Sequence, residues 1–377
     1  MNFICAIDSF KGCMTSHDAN EAAREGLKEA FPDAVVECYD VSDGGEGFLE
    51  AMCPDEIVEC QAHDALMRPV VSRFGVKDGK AIVEVANVVG LTMIERELRN
   101  PLIATSYGIG EVMMQAYSHG CREFIIGLGG SATSDCGLGM LQCLMQECRK
   151  RGNETWRELC ETSFLKDIRV TLATDVQNPL CGVDGAAHVF APQKGADTGM
   201  VEMLERRAKN FASMAFRHLG FDKSHVPGAG AAGGIGYAFL EFMDATVASG
   251  AEIVMQTAGL ADALTIGGHV DFSVCENGRG EETVVITGEG SADRQTLMGK
   301  WPAVVLAHAR QAGIPVVLLA GRVSGEDDLL SAGFAKVICI NDGKSTAEDA
   351  LRKWVAIKRV KNACSGFDFF EKSAKKQ

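Results

Sequence analysis

The stretch Glu123–Leu141, EFIIGLGGSATSDCGLGML, joins an apolar run, a glycine turn and the start of a helical pattern. Phe124–Leu128 is typical of a buried strand, and it leads into the glycine- and hydroxyl-rich segment Gly129–Asp135. Apolar residues at helical spacing follow through Leu138 and Leu144. Glycines let backbone N–H groups approach a ligand, and a helix N-terminus carries partial positive charge, so the turn predicts an anion site. The alternative, that the glycines only allow a close strand-to-helix turn, stays open.

Strands that end in polar, glycine-rich turns also occur on either side of this stretch. Phe3–Ile7 and Val35–Tyr39, with a helical pattern between them, predict a parallel strand–helix–strand unit. The same rhythm returns at Thr283–Thr287, Val316–Ala320 and Lys336–Ile340. We therefore predict an α/β protein in which residues 1–60 and 255–377 form a doubly wound parallel sheet. Residues 61–254 would be a second α/β domain inserted into the first, with a cleft between the two.

Composition excludes several classes of protein. The 377 residues are 46% hydrophobic and 23% charged, as in a folded globular chain, and the net charge of −14 disfavours nucleic acid as a partner. Charge or glycine interrupts every long apolar run, so no membrane span is expected. The opening residues, MNFICAID, read as a strand rather than a secretion signal, so we expect a cytoplasmic protein. The 14 cysteines lack metal-binding spacing and predict buried free thiols.

Charged and amide side chains cluster where the predicted strands end. They are Asp8, Lys11, Asp43, Glu46, Ser131, Asp135, Asp175, Asn178, Lys194, Glu289, Asp293 and Lys300. Carboxylates that hold Mg²⁺, with lysines and backbone N–H groups that hold phosphate, suit phosphoryl transfer. Individual members have structural alternatives: Asp175 and Asn178 could be turn formers before Pro179, and Ser16 or Asp18 could cap a helix.

The usual nucleotide-binding signatures are absent. Gly343-Lys344-Ser345 lacks the upstream glycine of a P-loop, because Ile338 occupies that position. Gly228, Gly230 and Gly233 match the dinucleotide fingerprint, but no strand precedes them. We interpret that segment as a substrate loop or a tight helix-packing turn.

An ordered set of short motifs resembles the bacterial glycerate kinase family of the type I class. The motifs run in family order from about residue 3 to residue 321 and are highly specific as a set. They include DSFKG (8–12), DGGEG (43–47), VEVA (83–86), NPL (100–102), GGSAT (129–133), DVQNPLCG (175–182), PQKGA (192–196), PGAGAAGG (227–234), ITGEG (286–290) and GK (299–300).

The resemblance implies ATP- and Mg²⁺-dependent phosphorylation of D-glycerate, usually at the 2-hydroxyl. It also implies a flavodoxin-like domain and a domain of restriction-endonuclease-like topology. Oligomeric state stays open.

Roles for individual residues follow from their chemistry. Asp175 or Asp43 would orient or deprotonate the glycerate hydroxyl, and Lys11 and Lys194 would neutralise phosphate or carboxylate. Asp43 and Glu289 are the candidate metal ligands. The candidate substrate and phosphate contacts are Asp8, Gly129, Gly130, Ser131, Thr133, Asn178 and Lys194, and the candidate nucleotide contacts are Gly288, Glu289, Gly290, Asp293 and Lys300.

A few positions depart from the family pattern. They are Phe48, Ser134, Cys136, Ser291 and an apparent insertion at residues 265–282. Two alternatives therefore stay open: a kinase for another small hydroxy acid, or a non-enzymatic paralogue that binds a nucleotide or metabolite.

Overall fold

The structure is a computed structural model that describes residues 1–150, 163–268, 283–341 and 353–366. Its strands are β1 Asn2–Ile7, β2 Val35–Cys38, β3 Glu56–His63, β4 Pro69–Lys77, β5 Lys80–Glu84, β6 Glu123–Gly127, β7 Arg169–Ala173, β8 Thr246–Ala248, β9 Thr283–Ala292, β10 Val316–Val323 and β11 Lys336–Cys339. Its α-helices are α1 Ser16–Ala30, α2 Phe48–Ala51, α3 Ala86–Val89, α4 Tyr107–Ser118, α5 Leu138–Lys150, α6 Ser163–Asp167, α7 Ala186–Phe190, α8 Thr198–Leu219, α9 Ala231–Met243, α10 Gly250–Thr257, α11 Leu260–Gly268, α12 Trp301–Gln311, α13 Glu326–Ala332 and α14 Lys353–Ser365. Short 3₁₀ turns lie at Leu91–Met93, Arg96–Leu98, Pro192–Lys194 and Arg294–Leu297.

The chain divides by its contacts into two compact units. The first unit is Met1–Ser42 with Val254–Gln377, and the second unit is Asp43–Ile253. Residues 43–60, which the sequence analysis assigned to the first domain, group with the second unit, because β3 pairs with β4 along its whole length. The predicted insertion at 265–282 and the Gly343–Ser345 segment lie largely or wholly outside the described residues.

The first unit has one parallel sheet in the order β2-β1-β9-β10-β11. This is the flavodoxin order, in which the chain leaves β1 toward one edge and returns on its other side. Apolar residues of the central strands pack against α1. α14 packs closely on α1 at Gly26, because an ideal Cβ there would lie only 2.2 Å from Lys361 O. The predicted doubly wound sheet is confirmed for this unit.

Helix α1 begins differently from the prediction. Thr15 is the N-cap residue: its hydroxyl accepts from Asp18 N, and the Asp18 carboxylate accepts from Thr15 N, forming a capping box. Ser16, predicted as a cap, instead donates to Ile7 O at 2.6 Å and accepts from Val41 N at 2.9 Å. It ties the start of the helix to the end of β1.

The second unit has a six-stranded sheet in the order β3-β4-β5-β6-β7-β8. β3, β4 and β5 pair antiparallel, whereas β5 to β8 are parallel. In the sequence, Lys77-Asp78-Gly79 between Pro69–Phe74 and Lys80–Ala86 predicts a hairpin. The Asp78-Gly79 turn between β4 and β5 has positive φ at both residues (50° and 75°), as a tight hairpin requires, so this prediction is confirmed. The restriction-endonuclease-like topology stays a prediction.

Two further features bear on sequence-based expectations. No described helix combines the length and apolar character needed to cross a bilayer. The described cysteines are free, as expected, but Cys53 and Cys339 are exposed rather than buried.

Candidate active site

The parallel strands of the second unit end together at one edge of the sheet. Glu84, Gly127, Ala173 and Ala248 are in register across β5, β6, β7 and β8. Because ligands of open α/β sheets bind outside the carboxyl ends of the strands, the residues that follow these four positions form the candidate site of this unit.

The Asp43 turn lies directly on the Gly129 turn. Gly129 N donates to Gly44 O at 2.9 Å, and an ideal Cβ on Gly129 would lie 2.3 Å from Gly45 Cα. A Cβ on Gly44 would lie 2.5 Å from Ala173 O at the end of β7. The glycines of these turns are therefore required for close backbone approach, and the turns bring Asp43 toward the end of β7.

Asp175 follows the end of β7 and is half-buried. One carboxylate oxygen accepts from Ala251 N at 3.4 Å, in the first turn of α10, and the Ser249 side chain is a second hydrogen-bond partner. The pKa of Asp175 is raised to about 6, chiefly by burial and also by the nearby charges of Asp43 and Glu252, while the hydrogen bonds from Ser249 and Ala251 act in the opposite direction. Such a carboxyl is ionised at neutral pH yet basic enough to accept a proton.

Lys194 is buried beneath the Gly129 turn, at the end of the 3₁₀ turn Pro192–Lys194. Its Nζ donates to Ser131 Oγ at 3.0 Å and to Thr133 O at 2.6 Å. Burial lowers the pKa of Lys194 to about 7, while the charge of Asp135 acts in the opposite direction. The structure thus joins Ser131, Thr133 and Lys194, three predicted residues from segments far apart in the chain.

The helix N-terminus after this turn already has an anionic partner. Asp135 Oδ2 accepts from Ser106 N, Ser106 Oγ and Gly139 N at 2.8, 2.9 and 3.0 Å, and its Oδ1 accepts from Gly137 N at 3.1 Å. A carboxylate of the chain itself therefore occupies the start of α5, and the anion site at this turn stays a prediction. Any anion site at this turn lies at Gly129–Ser131.

Asn178 shows the behaviour of a turn former. Its side-chain amide donates to Asp184 O at 2.8 Å, and its carbonyl accepts from Gly230 N at 2.8 Å. The segment with the fingerprint-like glycines packs here: an ideal Cβ on Gly233 would lie 2.0 Å from Thr133 O. The interpretation as a tight packing turn is thus supported.

Glu84 is a residue of this edge that the sequence analysis did not select as a site residue. It is 1% exposed, and its carboxylate accepts from Gly47 N at 3.2 Å and Leu49 N at 2.9 Å, at the start of α2. Burial raises the pKa of Glu84 to about 7. It anchors the loop that carries Asp43. The signals in the sequence were an acidic residue inside an apolar strand and the VEVA motif, residues 83–86.

The candidate site of the first unit lies at the switch point of its sheet, between β1 and β9. Asp8 is buried, accepts from Ser9 N at 2.7 Å, and its own N–H donates to Gly288 O at 3.0 Å. The turn that carries Lys11 packs on Gly290: an ideal Cβ there would lie in van der Waals contact with Lys11 N, at 3.8 Å. Lys11 itself is exposed.

β9 continues through the GEGSA segment that was predicted to be a turn. Ser291 pairs with Arg322 of β10, and Gly288 lies within the sheet, where a Cβ would be 2.4 Å from Leu319 O. Gly288 is therefore needed for strand packing.

The Thr296 hydroxyl and an ion pair connect three predicted nucleotide contacts, Glu289, Asp293 and Lys300. Thr296 Oγ1 donates to Glu289 Oε1 at 2.5 Å and accepts from Asp293 N at 2.9 Å. Lys300 Nζ lies 3.3 Å from Glu289 Oε2. Glu289, a predicted metal ligand, thus pairs with a lysine and a hydroxyl, and Asp293 caps the 3₁₀ turn through Gln295 N at 2.7 Å.

The described residues contain no cluster of three acidic, histidine or cysteine side chains that could hold a metal ion. Mg²⁺ is commonly held by only one or two carboxylates together with substrate phosphates. Asp43, one of the two predicted metal ligands, fits that role, since its negative charge and that of Asp175 repel each other and a divalent cation bound by Asp43 would relieve the repulsion.

Comparisons with known proteins all indicate one family. The model of the glycerate kinase family matches residues 3–363. The chain is 36% identical to a glycerate kinase of Haemophilus influenzae, over 88% of each chain, and 35% identical to the glycerate 2-kinase of Escherichia coli, over 93% of each. A crystal structure of a protein assigned as glycerate kinase 2, from Salmonella typhimurium LT2, aligns with a TM-score of 0.70 at 31% identity, covering 97% of this chain and 96% of that one.

Proposed function

The chain belongs to the glycerate kinase family and is a kinase, and from this premise we propose that it transfers the γ-phosphoryl group of ATP to the 2-hydroxyl of D-glycerate. The product would be 2-phosphoglycerate. The name of the Escherichia coli relative, glycerate 2-kinase, supports this regiochemistry. We also propose that the protein acts in the cytoplasm.

The observation that carries the proposal is the environment of Asp175. A carboxyl whose pKa is about 6 is mostly ionised at pH 7, and it can take the proton of a substrate hydroxyl as that hydroxyl attacks phosphorus. Ala251 N and Ser249 hold it at the end of β7. Asp43, on the adjacent turn, would orient the same hydroxyl.

The carboxylate of the substrate requires a counter-charge, and we assign this to Lys194 with the Gly129–Ser131 turn. The hydrogen-bond partners of Lys194 are neutral oxygens, and the charge of Asp135 raises its pKa only in part, so an anion in contact with Lys194 would favour its charged form. Ser131, Thr133 and the N–H groups of the glycine turn would add hydrogen bonds.

We assign the nucleotide to the first unit, at the carboxyl ends of β1 and β9. Asp8, Lys11 and the segment Gly288–Gly290 lie at the sheet's switch point, where nucleotides bind in this fold class. Lys11 and Lys300 would neutralise phosphate charge. Glu289 would position Lys300 directly, and Thr296 ties Glu289 to Asp293. Mg²⁺ held by Asp43, which leaves Asp175 to act as the base, would neutralise charge on the transferring phosphate. The cleft expected from the sequence stays a prediction.

A coupled assay with ATP, Mg²⁺ and D-glycerate tests the activity, and enolase as the coupling enzyme reports the position of the phosphate. Enolase consumes 2-phosphoglycerate directly, so we expect signal without added phosphoglycerate mutase. A signal that needs the mutase would refute the regiochemistry. No turnover by folded protein would refute the proposed substrate, and a panel of other small hydroxy acids would then identify the acceptor.

Asp175→Asn tests the proposed base against Asp78→Asn as a matched control. Loss of a general base costs about 10²–10⁴-fold in rate. Asp78 is exposed in the hairpin turn next to Lys80, at the other end of β5 from Glu84, so the same substitution there should leave kcat unchanged. Equal activity of the two variants would remove Asp175 from the mechanism.

A further inference from the structure

Two cysteines of the first unit face each other across neighbouring strands. Cys5 of β1 and Cys38 of β2 are Cα partners in the parallel register. Adjacent strands lie about 4.8 Å apart, which falls within the Cα separation of roughly 4.4–6.8 Å that disulfides span. Both side chains belong to the apolar layer under α1, where Cys5 is fully buried and Cys38 is partly buried.

The two thiols differ in acidity because of how they interact. A hydrogen bond between them lowers the pKa of Cys38, and the Arg24 guanidinium beside it lowers that pKa further. The same hydrogen bond, together with burial, raises the pKa of Cys5. Cys38 Sγ also donates to Asn20 O at 3.4 Å. Because Cys38 is partly exposed on an edge strand and Cys5 is fully buried, a peroxide reaches the Cys38 sulfur first, and Cys5 lies in the position of a resolving cysteine.

We propose that Cys38 and Cys5 form a redox-modification site that hydrogen peroxide or a similar hydroperoxide converts to a reversible disulfide. The Cys38 thiolate attacks one peroxide oxygen, the O–O bond breaks, and the leaving hydroxide takes a proton to become water. Cys38 is then a sulfenic acid, oxidised by two electrons. The Cys5 sulfur attacks the Cys38 sulfur, the S–O bond breaks, and the released hydroxide leaves as water with the Cys5 proton. A dithiol reductant restores both thiols.

The position of β2 allows this chemistry. It has four residues, lies at the edge of the sheet and pairs with β1 alone among the described strands. It can therefore move the small distance that an S–S bond requires at the cost of few backbone hydrogen bonds. A third thiol, Cys364 of α14, is buried close enough to influence both cysteines, so it is the competing partner that the experiment must separate.

Peptide mapping identifies the bond. The full-length protein is treated with hydrogen peroxide under native conditions, remaining thiols are alkylated, and the chain is cut with trypsin and Glu-C. Cleavage gives residues 1–11, with Cys5 as the only cysteine, and residues 38–46, with Cys38 as the only cysteine. We expect these peptides to appear linked, with the mass of two hydrogens lost, and to separate after dithiothreitol.

Three single variants complete the test. Cys5→Ser should lose the link and accumulate a Cys38 sulfenic acid that dimedone traps, whereas Cys38→Ser should lose both products. Cys53→Ser, at an exposed cysteine, is the matched control and should retain the link. A Cys38–Cys364 link, or slower oxidation of Cys38 than of the more exposed Cys53, would overturn the proposal.

Discussion

Replacing Lys194 with Met should change how stability depends on pH. The Lys194 side chain is 3% exposed, and burial lowers its pKa from 10.5 to about 7. Between these two values the unfolded chain binds more protons at this site than the folded chain, so the free energy of unfolding of the wild type rises with pH. At about 1.36 kcal/mol per pH unit, this site should raise the free energy of unfolding by about 2 to 3 kcal/mol between about pH 7.5 and 9.5.

Urea unfolding of three proteins at both pH values measures this contribution. Lys194→Met has no titrating group at the site, so its deficit relative to wild type should widen by about 2 to 3 kcal/mol as the pH rises. Cysteines and tyrosines that titrate in the same range are shared by both proteins and cancel in the difference. Lys166→Met, at an exposed lysine of the same unit, should track the wild type. A deficit that is independent of pH would mean that buried Lys194 keeps its charge, and would refute the reasoning.

Three further results are expected. The kcat/KM for D-glycerate should fall below about pH 6, as Asp175 takes up the proton that disables it as a base; a profile flat to pH 5 would contradict its role. Gly129→Ala should lower the thermal unfolding temperature by several degrees, because its Cβ would lie 2.3 Å from Gly45 Cα, whereas Gly199→Ala, whose Cβ meets only Asp197 Oδ1 at 3.4 Å, should leave it unchanged or raise it slightly. Burial raises the pKa of Glu84 from 4.5 to about 7, so between about pH 5 and 8 the wild type loses free energy of unfolding, whereas Glu84→Gln does not. Relative to the wild type, the free energy of unfolding of Glu84→Gln should therefore rise by about 2 to 3 kcal/mol over that range. Urea curves that shift in parallel would refute this.

Local patterns predicted the elements whose structure depends on local chemistry. The Asp78-Gly79 turn combines two residue types that accept positive φ between alternating strands, so the hairpin could be read directly. The first strand–helix–strand unit was equally clear from the apolar patterns of Phe3–Ile7, Val35–Tyr39 and the segment between them. β9 was predicted too short, because glycines after Thr287 indicate a turn, yet pairing with β10 holds them extended as far as Ala292. β3 was missed, although Val58, Cys60 and Ala62 alternate with polar residues as in a half-buried strand.

The candidate site was predictable in position and less so in its pairings. Strand ends located Asp8 after β1 and Asp175 after β7, because chain direction alone determines where a parallel strand ends. Glu289 lies inside β9 instead, three residues before that strand ends. Which groups would meet is non-local. Nothing near Lys194 in the sequence indicates that its Nζ reaches Ser131 and Thr133, more than 60 residues away.

The partners of the ionisable groups in the second unit distinguish carboxylates that stabilise the fold from groups that a ligand of opposite charge would stabilise. The Asp135 carboxylate accepts four hydrogen bonds from nearby N–H and O–H groups, so it serves the fold. Asp175 and Lys194 differ, because burial disfavours the charged form of each and the closest partners of Lys194 are neutral oxygens. A buried ionisable group held this way destabilises the folded chain until an opposite charge arrives. An anionic substrate beside Lys194 and a cation beside Asp175 would each supply that charge, so the same burial that weakens the free protein strengthens its preference for a charged ligand.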